Sequence, residues 1–218
     1  MPPRKNHELH LKNKKLFIEA AICLLSEEDP SNISIRKIAD KAGFHNSTIY
    51  LHFRDADWLL ALASVHYFRD YIKDLAELSR RNSSPYDNFF DIWNVYCRNA
   101  FEKPVLYYNF FFGKHKNDLR ELFEEYFELM PEEKKDYSSD INKMFFSSNL
   151  SDRSLSILSP LADMPDTRVT QENLNMINFL ILESFHGFLE SLLAEDPLYE
   201  EATPSAYLEL LHYLVDAG

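Results

Sequence analysis

Residues 37–53, "KIADKAGFHNSTIYLHF", set Gly43, two histidines, Asn46, Ser47 and Thr48 among Ile38, Ala39, Ala42 and Ile49. A wholly buried segment would exclude most of those polar groups, because an unpaired buried polar group costs ~1 to 3 kcal/mol. A loop would not need the four apolar positions. The stretch is therefore built to pack on one side and to present hydrogen-bonding groups on the other. Ala39, Gly43 and Ile49 stand at offsets of zero, four and ten, the spacing of two short helices joined by a tight turn. Ala39 admits close approach of the helices, Gly43 supplies a positive φ, and Ile49 anchors the second helix from its buried side. Ile38, Ala42 and Phe53 complete the packing face, leaving His45, Asn46, Ser47, Thr48, Tyr50 and His52 for base edges and phosphates.

Working outward, Ser34 is placed to cap the first of these helices and Gly43 to close it, with the second predicted over about 46–52. Upstream, Leu9, Leu16, Phe17, Ala20, Ala21, Leu24 and Leu25 form the apolar stripe of a helix over about 7–28, ended by Pro30 and Ser31. Downstream, Asp55 caps a segment predicted as one helix to Leu78, roughly 35 Å long. "SRRNSSPYD" at 79–87 is a linker whose Ser84 and Pro85 start the next helix. Further helices are predicted at about 86–102, 104–113, 117–130 and 136–149, followed by a mixed helix and loop segment over 147–169. Thr170 is expected to cap a helix to about Glu195, and Thr203 with Pro204 a last one to about Asp216. Strand-like alternation is lacking, so the fold class is all-α. Composition and charge change near residue 60, which divides the chain into a helix-turn-helix domain over 1–60 and a larger helical domain over 61–218.

Only four glycines are present, which argues against a turn-rich β-sandwich or a glycine-dependent nucleotide fold. Cys23 and Cys97 lie in apolar helical contexts without CxxC spacing, which argues against a disulfide scaffold or a zinc site and for a reducing cytoplasm. With no signal peptide and no run of membrane-spanning length, a soluble cytoplasmic protein is expected. The net charge is −12, unevenly spread. Residues 1–60 carry nine Lys/Arg against eight Asp/Glu, a net of +1, whereas residues 61–218 carry 14 against 27, a net of −13. Only the first part suits an anionic polymer. Arg4, Lys5, Lys12, Lys14 and Lys15 precede residue 18 with only Glu8 opposing them.

"ISIRKIADKAGFHNSTIYLHFRDADWLLAL" resembles the N-terminal domain of the tetracycline-repressor (TetR) family of transcriptional regulators. Ser34, Ile38, Ala39, Ala42, Gly43, Ile49, Tyr50, His52 and Phe53 fill that family's positions in unbroken register, over roughly residues 8–65. The resemblance implies that Ser34 and the start of its helix meet a phosphate, and that Arg36 reaches a guanine edge or a phosphate. Asn46, Ser47 and Thr48 would face bases or phosphates, while Tyr50 and His52 grip the backbone. His45 stands where a Ser cap is usual, so either His45 or Asn46 begins the second helix. Ala56 replaces a common lysine, leaving Arg54 for that phosphate, and Leu51 would either meet a thymine methyl or cover the turn.

For the remainder, the aromatic-rich segment 86–112 is either a bulky core or the wall of a cavity. The resemblance implies an effector pocket there, with Phe89, Trp93, Tyr96, Tyr107, Phe110 and Phe111 as candidate contacts for a hydrophobic or aromatic small molecule. Arg98, Lys103, Lys114 and His115 are candidates for an anionic end. The long helix after Thr170 is apolar too widely for one partner, and with the last helix it is expected to build a four-helix homodimer interface. Ile177, Ile181, Phe185, Phe188, Leu192, Tyr207, Leu211 and Leu214 are its candidate residues. His66, His186 and His212 show no paired-ligand spacing, and no catalytic arrangement stands out, so neither a metal, a cofactor nor an enzymatic activity is expected. The resulting expectation is a homodimeric repressor that binds a palindromic DNA operator and is released by its effector. The alternative is a regulator of the same fold acting through a protein partner, without effector response or direct operator binding.

Overall fold

The computed structural model describes residues 3–194 and 202–217, with side chains from His7 onward apart from Ser31. The side chains of Arg4 and Lys5, and Glu195 at the expected helix end, lie outside the described residues. Among those described, every regular element is helical, and a lone bridge joins Thr167 to Asp216. The chain divides into two compact units, Met1–Arg69 with Glu121–Lys134, and Asp70–Arg120 with Lys135–Gly218.

In the first unit, α1 (Pro3–Glu27) packs on α2 (Ile35–Ala42) and α3 (Ala56–Val65). Its buried stripe is Phe17, Ile18, Ala20, Ala21 and Leu24, while Leu9, expected on that stripe, is exposed. Ser34 caps α2 by accepting from the Lys37 amide at 3.3 Å, and Gly43 ends it in the left-handed region at φ 78°. A 3₁₀ turn, Asn46–Leu51, replaces the second helix of the expected pair. Asp55 caps α3 through the Trp58 amide at 2.8 Å.

The single helix expected from Asp55 to Leu78 is instead α3, a tighter 3₁₀ turn at His66–Phe68, and α4 (Arg69–Leu78). Two side chains draw on backbone carbonyls at this point. Ser64 Oγ donates to the Leu60 carbonyl at 2.8 Å, a local bond that bends helices, and Tyr67 OH donates to the Ile22 carbonyl at 2.7 Å.

The second unit contains α4, α5 (Pro85–Glu102), α6 (Pro104–Phe111), α8 (Ser139–Phe145), α9 (Leu150–Leu158), α10 (Leu174–Leu193) and α11 (Pro204–Val215); α7 (Leu119–Leu129) supplies most of its length to the first unit. Ser84 with Pro85, and Thr203 with Pro204, start α5 and α11 as the sequence suggests. Thr170 does not cap α10 directly. It exchanges reciprocal hydrogen bonds with Asn173, and the helix begins after that turn. α10 is long and apolar enough to cross a membrane, contrary to the expectation that no segment is. One of its faces, Ile177, Ile181, Phe185 and Leu189, is buried within this unit.

The positive φ at Gly43 yields the first prediction. A Cβ there would meet open space, so Gly43→Ala carries only conformational strain. It should lower stability in urea unfolding by about 1 to 2 kcal/mol, and Gly43→Asn by less, since Asn tolerates this region. Equal losses for both would contradict this account.

Candidate nucleic-acid interface

The candidate reading unit is assembled from the backbone outward. The Phe44 amide donates to the Ala39 carbonyl at 2.9 Å, closing α2 so that the chain turns sharply into His45. His45 then occupies the capping position of the 3₁₀ turn, with its Nδ1 3.4 Å from the Ser47 amide and 2.8 Å from Ser47 Oγ. Ile49 is the one buried side chain of the turn. Phe17 closes the unit from α1, with ring centroids 4.8 Å from Phe44 and 6.0 Å from Phe53.

This arrangement leaves His45, Asn46, Ser47, Tyr50 and Leu51 exposed, with Thr48 half-buried beside them. Tyr50 is 62% exposed and Leu51 76%. Ser34 and Arg36 are exposed at the start of α2, where Arg36 lies 3.8 Å from Asp40. The other two expected contacts are engaged inside the unit. His52 is half-buried, its Nδ1 2.9 Å from His10 Nδ1 on α1. Burial, followed by the neighbouring charges of His10 and Lys14, holds its imidazole below the usual range. Arg54 lies over the Trp58 ring at 4.1 Å and pairs with Glu121.

The positive charge of the first unit is widely compensated. Lys14 pairs with Glu125 at 2.6 Å, Lys15 with Glu132 at 3.6 Å and Lys41 with Glu27 at 2.8 Å, and Lys37 with Glu28 at 2.5 Å. Glu121, Glu125 and Glu132 belong to the segment far along the chain that completes this unit. Sequence reading missed their part, because separations of this size leave no periodic signal.

In the second unit, Phe89, Trp93, Tyr96, Tyr107, Phe110 and Phe111 are all buried. Tyr96 lies 5.5 Å from Tyr107, 5.2 Å from Phe111 and 5.0 Å from Phe185 between ring centroids. Trp93 and Tyr96 border a cavity with about 20 Å³ free, enough for roughly one water. Arg153 lines it too, 2% exposed and donating to the Phe145 carbonyl at 2.5 Å and to Tyr71 OH at 2.8 Å. The cations expected to receive an anionic end are engaged elsewhere: Arg98 lies 2.9 Å from Asp74, Lys103 4.0 Å from Asp70 and His115 3.1 Å from Asp118; Lys114 makes an interaction of its own. No group of His, Cys, Asp and Glu disposed to hold a metal occurs among the described residues.

The expected dimer residues fall on two faces. Ile177, Ile181, Phe185, Tyr207 and Leu211 are buried in the chain's own core, and Phe188 and Leu214 are half-buried. Leu192 is exposed, as are Met176, Phe179, Leu180, Leu193 and Tyr213.

Among the described residues, the capped helix α2, the turn at Gly43 and the outward polar face that follows have the layout of a helix-turn-helix DNA-binding unit. The family model described as "Bacterial regulatory proteins, tetR family" matches residues 17–62, and no curated protein matches the chain. Among solved structures, the chain is similar in fold to the fatty acid degradation regulator FadR from Bacillus halodurans, at 14% identity over 93% of each chain with a TM-score of 0.52. It is likewise similar to SmeT, the repressor of the Stenotrophomonas maltophilia multidrug efflux pump SmeDEF, at 16% identity over 94% of this chain and 90% of that one, TM-score 0.52. A SmeT–triclosan complex aligns at 15% identity over 94% and 92%, TM-score 0.51. Residues 17–62 thus match the tetR-family model, and the chain as a whole shares its fold with these two regulators.

If Arg54 meets the phosphate that the resemblance implies, Glu121 must release it. Glu121→Gln should therefore tighten DNA binding and steepen the dependence of log K on log salt by about one. Melting should change little, because exposed ion pairs contribute little to stability. Titrations of fluorescent DNA at several salt concentrations check this, and an unchanged slope would remove Arg54 from the phosphate contacts.

Proposed function

We propose that the chain is a ligand-responsive, cytoplasmic, homodimeric repressor that binds a palindromic operator through residues 1–60 and is released by a small hydrophobic or aromatic effector held in residues 61–218. The observation that carries this reading is the outward face of His45, Asn46, Ser47 and Tyr50 on a turn fixed by Gly43 and Ile49. Side chains of this kind donate to and accept from base edges and phosphates. SmeT, which shares the fold, has been captured with triclosan, and this supports a search for an effector. Effector binding would shift the population between DNA-competent and DNA-incompetent states in proportion to its differential affinity for the two.

Two neighbouring half-sites share the binding energy, which suits a dimer whose single reading unit is nearly neutral. The exposed stripe Met176, Phe179 and Leu180 at helical spacing favours a second copy of the chain on α10.

Purified protein should retard a fragment from upstream of its own gene at low salt and release it as salt rises. Tyr50→Ala should weaken binding to every sequence, whereas Asn46→Ala and Thr48→Ala should alter preference among operators. If no upstream fragment shifts at low salt, the repressor reading fails. Replacing Phe179 and Leu180 together by Glu should give monomers in sedimentation velocity. Because both residues are exposed, the variant should keep its helicity, and an undiminished dimer would move the interface off this stripe.

A further inference from the structure

We propose that the cavity between α5, α8 and α9 receives the head group of the effector, and that this effector is an apolar monocarboxylate whose carboxylate meets Arg153, Trp93, Tyr96 and Ser154. The inference rests on the regulator reading above and narrows its ligand from apolar compounds in general to those carrying an anionic acceptor.

Among the described residues, three polar atoms on the wall of this one cavity lack a hydrogen-bond partner: Trp93 Nε1, Tyr96 OH and Ser154 Oγ. Each belongs to a side chain more than nine-tenths buried. Buried polar groups are ordinarily paired, so three such atoms around one space call for a polar guest there, a single water or the head group of a ligand. An indole N–H can only donate, so the guest must bring an acceptor. Both hydroxyls can donate as well, and burial holds the Tyr96 phenol in its protonated, donating form.

The sign of the guest's charge comes from Arg153. Its guanidinium is permanently positive and presents a planar fork that suits a carboxylate. The bonds to the Phe145 carbonyl and Tyr71 OH fix its orientation. No Asp or Glu lines the cavity, so nothing on its wall repels an anion. The other walls, Ile92, Met144, Leu150 and Ile157, are apolar and set the character of the ligand's body. The cavity in this form is smaller than such a body. Met144, unbranched and rotatable, is the wall best able to give way.

A larger cleft of about 380 Å³ beside Arg81, Asp140 and Lys143 has a mixed-charge lining, and Arg81 is paired with Asp91 at 3.5 Å. It lacks the set of unpartnered buried groups that the smaller cavity has.

Isothermal titration of the DNA-free full chain with octanoate and 4-phenylbutyrate, each against the corresponding alcohol, tests the assignment. At least one acid should bind saturably and about tenfold or more tightly than its alcohol. Arg153→Met should erase that preference, and Ser154→Ala and Trp93→Phe should weaken the acid severalfold and the alcohol less, since a neutral hydroxyl is the weaker acceptor. The last two are conservative, so the test stands if Arg153→Met fails to fold by its melting curve. Absence of saturable binding by both acids, alcohols as tight as the acids, or unchanged acid affinity in both conservative variants would overturn the proposal. A parallel gel shift separates it from the regulator reading. An acid that binds without releasing DNA leaves the head-group assignment standing and defeats the effector role. Release by a neutral compound, with no acid bound, does the reverse.

Discussion

Phe17 is the contact on which the reading unit depends. It is fully buried on α1, and its ring meets Phe44 before the 3₁₀ turn and Phe53 and His52 after it. The turn has six residues and one buried side chain, too little to hold its own shape in water. Its geometry is inherited from α1 through this ring and from α2 through Gly43. The positions of Asn46, Ser47 and Tyr50 are thus set by residues that touch no ligand.

In the second unit the same kind of argument separates wall from cavity. Tyr207 is buried among Trp93, Phe185 and Phe188, and its hydroxyl donates to the Ile181 carbonyl at 2.7 Å. Tyr71 is equally buried and accepts from Arg153. Those hydroxyls stabilise the packing because they are paired. Trp93 and Tyr96 contribute comparable ring surface, but their polar atoms lack a partner. Ring packing alone would read all four residues as core, and the polar atoms distinguish them.

What the sequence made legible was local. Ser34, Gly43, Asp55, Ser84 and Thr203 are caps or turns whose chemistry acts within a few residues, and all five act as such in the structure. The outward residues of the turn followed from helical spacing, but the inward course of His52 depends on His10, 42 residues away. The buried face of α10 was not readable, because apolar residues surround the helix and only its neighbours choose among them. Arg153 fell in a segment read as half loop. The spacing of Leu150, Ser154 and Ile157 would have placed it on a buried stripe, where an arginine is uncommon.

The compensated charge of the first unit has a kinetic meaning. A domain in which Lys14, Lys15, Arg36, Lys37, Lys41 and Arg54 already face carboxylates attracts arbitrary DNA weakly, since nonspecific affinity comes almost wholly from phosphate neutralisation. The strongly acidic remainder of the chain adds long-range repulsion from any duplex. For a protein of this charge pattern, time spent on the wrong sequence is short. On the proposed reading, occupancy of the right one comes from shape and hydrogen bonds made after contact, with internal carboxylates giving up their cations to phosphates.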